Sequence, residues 1–230
     1  VRRLRPVAAT LYSLSVVIGA VGAAPSITQA QTAPASLQLT ATEFTARRDA
    51  LAARIGNGVV IAFGGRTLVH DFGTFFQLPS FHYLTNYDEP DGALVMVVRN
   101  KRGVGSLFLT PLNARTAFYY GQRVDTAASE KLFGLRGRPF TALDATLDSL
   151  ASAGLPFYTI SDVEDLDFAR ADSLTRGQAY MTTFAVKHPG AQLRDALPTV
   201  LLLRAKKSAT ELALIKHAAE LSSEGHRAAM

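Results

Sequence analysis

The side chains able to do chemistry are few in this chain, and their spacing does not assemble a reaction centre. There are five histidines, His70, His82, His188, His217 and His226, and none stands in a His-Glu-x-x-His or similarly close metal spacing. His217 and His226 share one helical stretch but lie about two and a half turns apart, on different faces. His70-Asp71 could orient an imidazole, although a loop contact is the more ordinary role of such a pair. Asp88, Glu89 and Asp91 surround Pro90. They could meet a cation or a substrate amine, or cap backbone N–H groups of a turn, and the turn is the favoured reading. Asp162, Glu164, Asp165 and Asp167 form a second acidic run. It lacks the alternate ligand positions and central glycine of a calcium loop, which leaves a solvated helix start. Gly64-Gly65 and Gly103-x-Gly105 form neither a phosphate loop nor a dinucleotide fingerprint, and no Gly-x-Ser-x-Gly occurs. The chain has no cysteine, which excludes disulfides, thiol catalysis and cysteine-ligated zinc.

The frame that must carry these residues is 230 residues long, enough for one domain and its extensions. Hydrophobic residues make up 48% and charged residues 19%, a balance that supports a packed core and argues against global disorder. Residues 1–30 read as a secretory signal peptide. Arg2, Arg3 and Arg5 form the basic start, Val7 to Gly22 the uncharged apolar stretch, and Thr28-Gln29-Ala30 a cleavage site, with Ala23-Ala24 as a competitor. A membrane anchor is disfavoured because the run is short for a span of about 20 residues and carries Ser13 and Ser15. Export to the periplasm or the medium is therefore expected, with no stable membrane insertion after cleavage. Losing this segment lowers the net charge from +5 to +2. The remaining basic residues are scattered, so no nucleic-acid partner is expected.

Residues 31–42 read as a polar linker. Phe44, Leu51 and Ile55 recur at helical spacing over 43–55, and Gly56-Asn57-Gly58 ends that helix. Val59 to Phe63 is a continuous apolar run, the pattern of a strand buried on both faces. Phe81 to Leu84 is a short extended or helical piece. Ala93 to Val98 is the strongest strand; Asn100-Lys101-Arg102-Gly103 is a turn, and Ser106 to Leu109 returns as its hairpin partner. Helices follow at 126–132 and 143–153, a strand at 156–160, and a mixed stretch at 193–203 around Pro198. At the end, Ser208-Ala209-Thr210-Glu211 fits a capping box. Leu212, Ile215 and Ala219 then form an apolar stripe that must fold back or stay exposed. Helices alternating with short apolar strands predict an α/β fold, a mixed β-sheet flanked by helices.

Several segments follow one another in a set order: Phe81-His82-Tyr83-Leu84-Thr85-Asn86, Glu89-Pro90-Asp91 before a strand, Leu107-Phe108-Leu109-Thr110-Pro111, and Tyr120-Gly121-Gln122-Arg123. That order resembles the N-terminal domain of a Xaa-Pro aminopeptidase, of the creatinase/prolidase superfamily. Arg204-Ala205-Lys206-Lys207-Ser208-Ala209-Thr210-Glu211-Leu212 resembles the link and first helix of the family's catalytic domain. Phe76-Gln77-Leu78-Pro79-Ser80 departs from the family, which carries a charged stretch there.

The resemblance implies an N-terminal-like domain at 43–200 and, at 201–230, the beginning of a catalytic domain otherwise absent. The family hydrolyses the bond before a penultimate proline with two divalent metal ions, often manganese, held by Asp, His and Glu in the catalytic domain. No catalytic residue and no metal ligand can be carried onto this chain. The expectation is the non-catalytic front portion of an exported metallo-aminopeptidase, acting in full-length form on peptides with proline second and forming a homo-oligomer. A stand-alone peptide- or partner-binding module, and a fragment of a creatinase-like C–N hydrolase, are the alternatives. Among the aromatics from Phe72 to Tyr87, the residues Phe76, Phe81, Tyr83 and Tyr87 are candidates either to line the mouth of an active site or to pack in the core.

Overall fold

The computed structural model describes residues 37–67, 75–111, 117–118, 121–162 and 175–230. The signal-peptide reading, His70-Asp71 and the acidic run beyond Asp162 lie outside them.

Helix α1 (Ala41–Ile55) begins where the Thr40 side chain accepts the Glu43 N–H at 3.4 Å, and ends at Gly56, whose φ of 78° suits glycine. Strand β1 (Gly58–Phe63) is buried along its whole length. It lies between antiparallel β2 (Ala93–Arg99) and parallel β5 (Phe157–Ile160) in a six-stranded sheet, which β3 (Arg102–Leu109), β4 (Arg136–Pro139) and β6 (Leu193–Asp195) complete in the order β4-β3-β2-β1-β5-β6. That position explains the unbroken apolar run: Val60 and Ala62 point to one helical layer, and Val59, Ile61 and Phe63 to the other. β3 (Arg102–Leu109) returns from β2 through Asn100 and Lys101, both at positive φ (51° and 65°). This two-residue turn matches the twist of the hairpin it closes.

One face of the sheet is covered by α1, α2 (Pro79–Thr85), α3 (Ser129–Phe133) and α6 (Leu197–Ala205), through Leu51, Leu84, Phe133 and Val200. The other is covered by α4 (Leu143–Ser152) and α5 (Arg176–Lys187), through Leu147, Met181 and Phe184. The edge strands β4 (Arg136–Pro139) and β6 (Leu193–Asp195) are short and carry charges, and β4 ends in proline, features that discourage pairing with another chain. A Cβ on Gly137 of β4 would lie 2.2 Å from the Thr126 carbonyl oxygen, so only glycine lets that backbone approach.

The piece around Phe81 resolves as a helix. Pro79 sits in its first turn and Asn86, at φ 57°, closes it with its N–H on the His82 carbonyl. The helix expected at 126–132 is a turn followed by a shorter α3, because Asp125 Oδ1 takes the Ala128 N–H at 2.7 Å. The mixed stretch around Pro198 divides into β6 and α6, with the proline tolerated in the helix's first turn. Two elements have no counterpart in the periodicity. β4 is polar and is held by its pairing with β3. α5 starts from a capping box in which Thr175 and Gln178 exchange bonds of 3.2 and 3.0 Å. The last helix, α7 (Ala209–Ala229), has the expected capping box and buries none of its residues.

Candidate functional site

At one end of the sheet the chain leaves β1 and β3 by their carboxyl ends and enters β2, and here the polar side chains gather. This is where α/β sheets commonly present ligand-facing groups. The Asp88–Asp91 turn is the hub. Glu89 accepts the Tyr87 hydroxyl at 2.9 Å and the Val124 N–H at 3.0 Å. Asp91 sits at φ 62°, with its own N–H on the Gly65 carbonyl at 2.9 Å. Its carboxylate takes the Thr67 N–H at 3.2 Å and lies 3.4 Å from Arg176 and 3.9 Å from Arg123. Thr110 donates to the Asp91 carbonyl at 2.8 Å. Both carboxylates therefore cap backbone N–H groups, the turn role expected for this cluster. Asp88, the exposed member, meets His82 Nε2 at 3.0 Å.

Gln77 ties this turn to the loop after β1. Its Oε1 accepts the N–H groups of Gly65 (2.7 Å) and Leu78 (2.9 Å), while its amide nitrogen donates to the carbonyls of Tyr87 (3.1 Å) and Glu89 (2.9 Å). Every hydrogen-bonding position of a primary amide that such a bridge can use is used. Arg176, from the first turn of α5, lays its guanidinium over the rings of Phe63 and Phe140 at 5.7 and 4.8 Å as it reaches Asp91. Thr67 and Arg176 stand in no motif of the sequence, and Gln77 and Arg123 fall within segments of the resemblance that mark no contact for them. Apart from the bond of Gln77 to the adjacent Leu78, their partners are 10 to 85 residues away, and no local spacing marks such pairs.

The structure separates the four aromatic candidates. Phe81 and Tyr87 are core residues: both are buried, with their rings edge to face at 6.4 Å, and Tyr87 meets Phe133 in the same way at 5.7 Å. Burial, and next the Glu89 carboxylate, push the Tyr87 phenol far above its ordinary range. Phe76 stands out at 81% exposure. Tyr83 is half-buried on α2, beside a cleft of about 500 Å³ that Pro79, His82, Leu201 and Arg204 help to line. Burial raises its phenol as well. α2 thus turns Phe81 and Leu84 inward and His82 and Tyr83 outward, as one helical face must.

The arrangement offers recognition groups: an exposed ring, and a carboxylate that accepts the Thr67 hydroxyl and is flanked by two arginines. Among the described residues, no three His, Cys, Asp or Glu side chains come close enough together to hold a metal ion. The two-metal centre that the sequence resemblance assigns to a catalytic domain has no fitting donor set on them.

Residues 44–156 match the family model of the aminopeptidase P N-terminal domain. The chain carries an aminopeptidase P N-terminal domain. The fold agrees with solved structures of that family. An aminopeptidase P II of Yersinia pestis superposes with a TM-score of 0.64 at 23% identity, over 82% of this chain and 44% of that one. A zinc-substituted Escherichia coli aminopeptidase P in complex with product gives 0.66 at 21% identity, over 82% and 44%. A Bacillus anthracis protein assigned to aminopeptidase P gives 0.68 at 18% identity, over 78% and 43%. The chain therefore spans less than half the length of the solved proteins it matches. No curated protein matches it by sequence. In this N-terminal domain, the Glu89-Pro90-Asp91 turn is the knot of the sheet's polar end.

Proposed function

We propose that this chain is the N-terminal, non-catalytic portion of an exported metallo-aminopeptidase that removes the residue preceding a penultimate proline. The observation that carries the reading is the family match over 44–156 on a fold that spans under half of each aminopeptidase P it resembles. The metal ions, manganese in this proposal, belong to the remainder of the enzyme. The domain's part is to support assembly into a homo-oligomer and to shape the mouth of the active site, with Phe76 and Tyr83 as the aromatic groups open to such a contact. Export rests on the basic and apolar pattern of residues 1–30. Among the described residues no helix is long and apolar enough to cross a membrane.

The test is the size of the native product, by immunoblot and mass spectrometry in the source organism, with Xaa-Pro peptidase assays beside it. A product near twice 24.7 kDa, with peptides beyond Met230 and manganese-dependent activity, is the expected result. The 31–230 chain is expected to cleave no Xaa-Pro peptide with added manganese. Turnover proportional to the amount of that shorter chain would overturn the assignment.

A further inference from the structure

The first and last described helices are joined by one group of polar side chains. Glu43 and Arg47 stand one turn apart on α1 and pair at 2.9 Å. Ser208 donates its hydroxyl to the same Glu43 oxygen at 2.6 Å, and Arg47 reaches Glu211 Oε1 at 3.1 Å. Ser208 and Glu211 are also the two halves of the α7 capping box. The Glu211 N–H donates to Ser208 Oγ at 3.1 Å, and the Ser208 N–H donates to Glu211 Oε2 at 2.7 Å. The labour is divided without conflict: Glu211 caps with one oxygen and pairs with the other, while the Ser208 hydroxyl accepts from the cap and donates to α1.

Arg47 is well suited to hold such a position. It is only 7% exposed, its guanidinium lies over the rings of Phe44 and Tyr83 at 4.6 and 4.5 Å, and it donates to the Tyr83 carbonyl at 3.3 Å. A planar cation stacked on aromatic faces and bonded along its edge keeps little rotational freedom. A second tether lies one helix earlier, where Arg204 donates to Ser80 Oγ at 3.1 Å and Ser80 Oγ donates to buried Asp162 at 2.7 Å. Apolar packing contributes little to the placement of α7, because Leu212 and Ile215 remain 56% and 55% exposed. The contacts that can orient it are polar ones at its first turn.

We propose that Glu43 and Arg47, acting through the Ser208–Glu211 capping box, form the joint that fixes the direction in which α7 leaves the domain. The helix is carried as a rigid arm whose bearing is set by α1, 165 residues earlier, and it does not swing on Lys206 and Lys207. Glu43 and Arg47 are positioning residues in this scheme.

The test needs neither metal nor substrate. The chain has no cysteine, so Lys131→Cys on α3 and Glu224→Cys on α7, both exposed sites, accept a clean pair of spin labels. Pulsed dipolar spectroscopy should give one narrow distance in the otherwise unaltered chain. Glu211→Gln keeps a residue able to complete the capping box and removes the charge pair with Arg47. It should raise the population of other α7 orientations about tenfold, the factor a charge-assisted contact carries, with helix content and melting temperature unchanged. Arg47→Met should broaden the distribution too. A distance as narrow in Glu211→Gln as in the parent overturns the proposal, and that variant decides alone if Arg47→Met fails to fold.

Discussion

Tyr87 donates its hydroxyl to Glu89 Oε2 at 2.9 Å, so a ring sealed in the core is bonded to a carboxylate that also holds the Val124 backbone. Ionising the phenol would set a second negative charge against Glu89 in dry surroundings, so its folded-state pKa stands well above the unfolded value.

Tyr87→Phe should therefore lower stability by about 2 kcal/mol, the range of a hydrogen bond to a charged group, as read from urea unfolding at neutral pH. The pH dependence follows from the sign of the shift. A raised folded pKa leaves stability intact below the unfolded phenol pKa of about 10 and removes it as pH rises beyond that value. The parent should lose stability in this alkaline window more steeply than Tyr87→Phe. Equal slopes would show that the residue does not carry this linkage.

Arg48 is buried on α1 with its guanidinium on main-chain carbonyls: Leu84 at the end of α2 (2.8 Å), and Phe133 and Gly134 at the end of α3 (both 3.2 Å). Burial pulls its pKa down, and the negative ends of two helices replace a carboxylate partner. Arg48→Met should destabilise the domain by about 3 kcal/mol, since it strands those carbonyls in a buried place. A loss under about 1 kcal/mol in equilibrium unfolding would mean that water reaches them.

On the opposite layer, Asp148 of α4 joins Lys187 at 2.5 Å and His188 Nε2 at 2.7 Å, at the end of α5. The Lys187 contact, then His188, hold its carboxyl below the ordinary range. A depressed folded pKa gives stability that is present above the unfolded value of about 3.9 and is lost as pH falls through the folded one. Asp148→Asn should melt earlier than the parent at pH 6 and converge with it in acid. A gap that persists at low pH would assign the effect to packing.

Lys101 occupies a left-handed backbone position at φ 65° in the β2–β3 turn, with its N–H on the Gly56 carbonyl at 2.8 Å. Lys101→Gly relieves the Cβ strain and keeps that bond, so a gain of about 1 kcal/mol is expected in thermal or urea unfolding. A destabilised variant would show that the unfolded-chain entropy of glycine outweighs the relief.

Much of the frame was legible in residue order because its causes are local. The run Val59 to Phe63 announced a strand covered on both sides, Asn100-Lys101 a tight return, and Ser208-x-x-Glu211 a helix start. The α5 start carried the same kind of signal in Thr175-x-x-Gln178, and reading it would have found that helix. β4 had no local signal: Arg136-Gly137-Arg138-Pro139 is a strand only because β3 offers its edge. The candidate site was legible only in part. The acidic turn was visible as a cluster, while nothing local tied Gln77, Arg123 and Arg176 to it.

Residue types and short spacings thus determined the α/β class, the caps and the family resemblance, because capping and periodicity act between residues a few positions apart. Tertiary structure decided which aromatic is core and which is surface. Phe76, Phe81, Tyr83 and Tyr87 are close in sequence and alike in chemistry, yet Phe81 and Tyr87 are sealed in while Phe76 is open. It also brought Arg176 to Asp91 across 85 residues and Ser208 to Glu43 across 165. Such contacts depend on how the layers close over the sheet, and chain closure between distant segments leaves no periodic mark in the residues it joins.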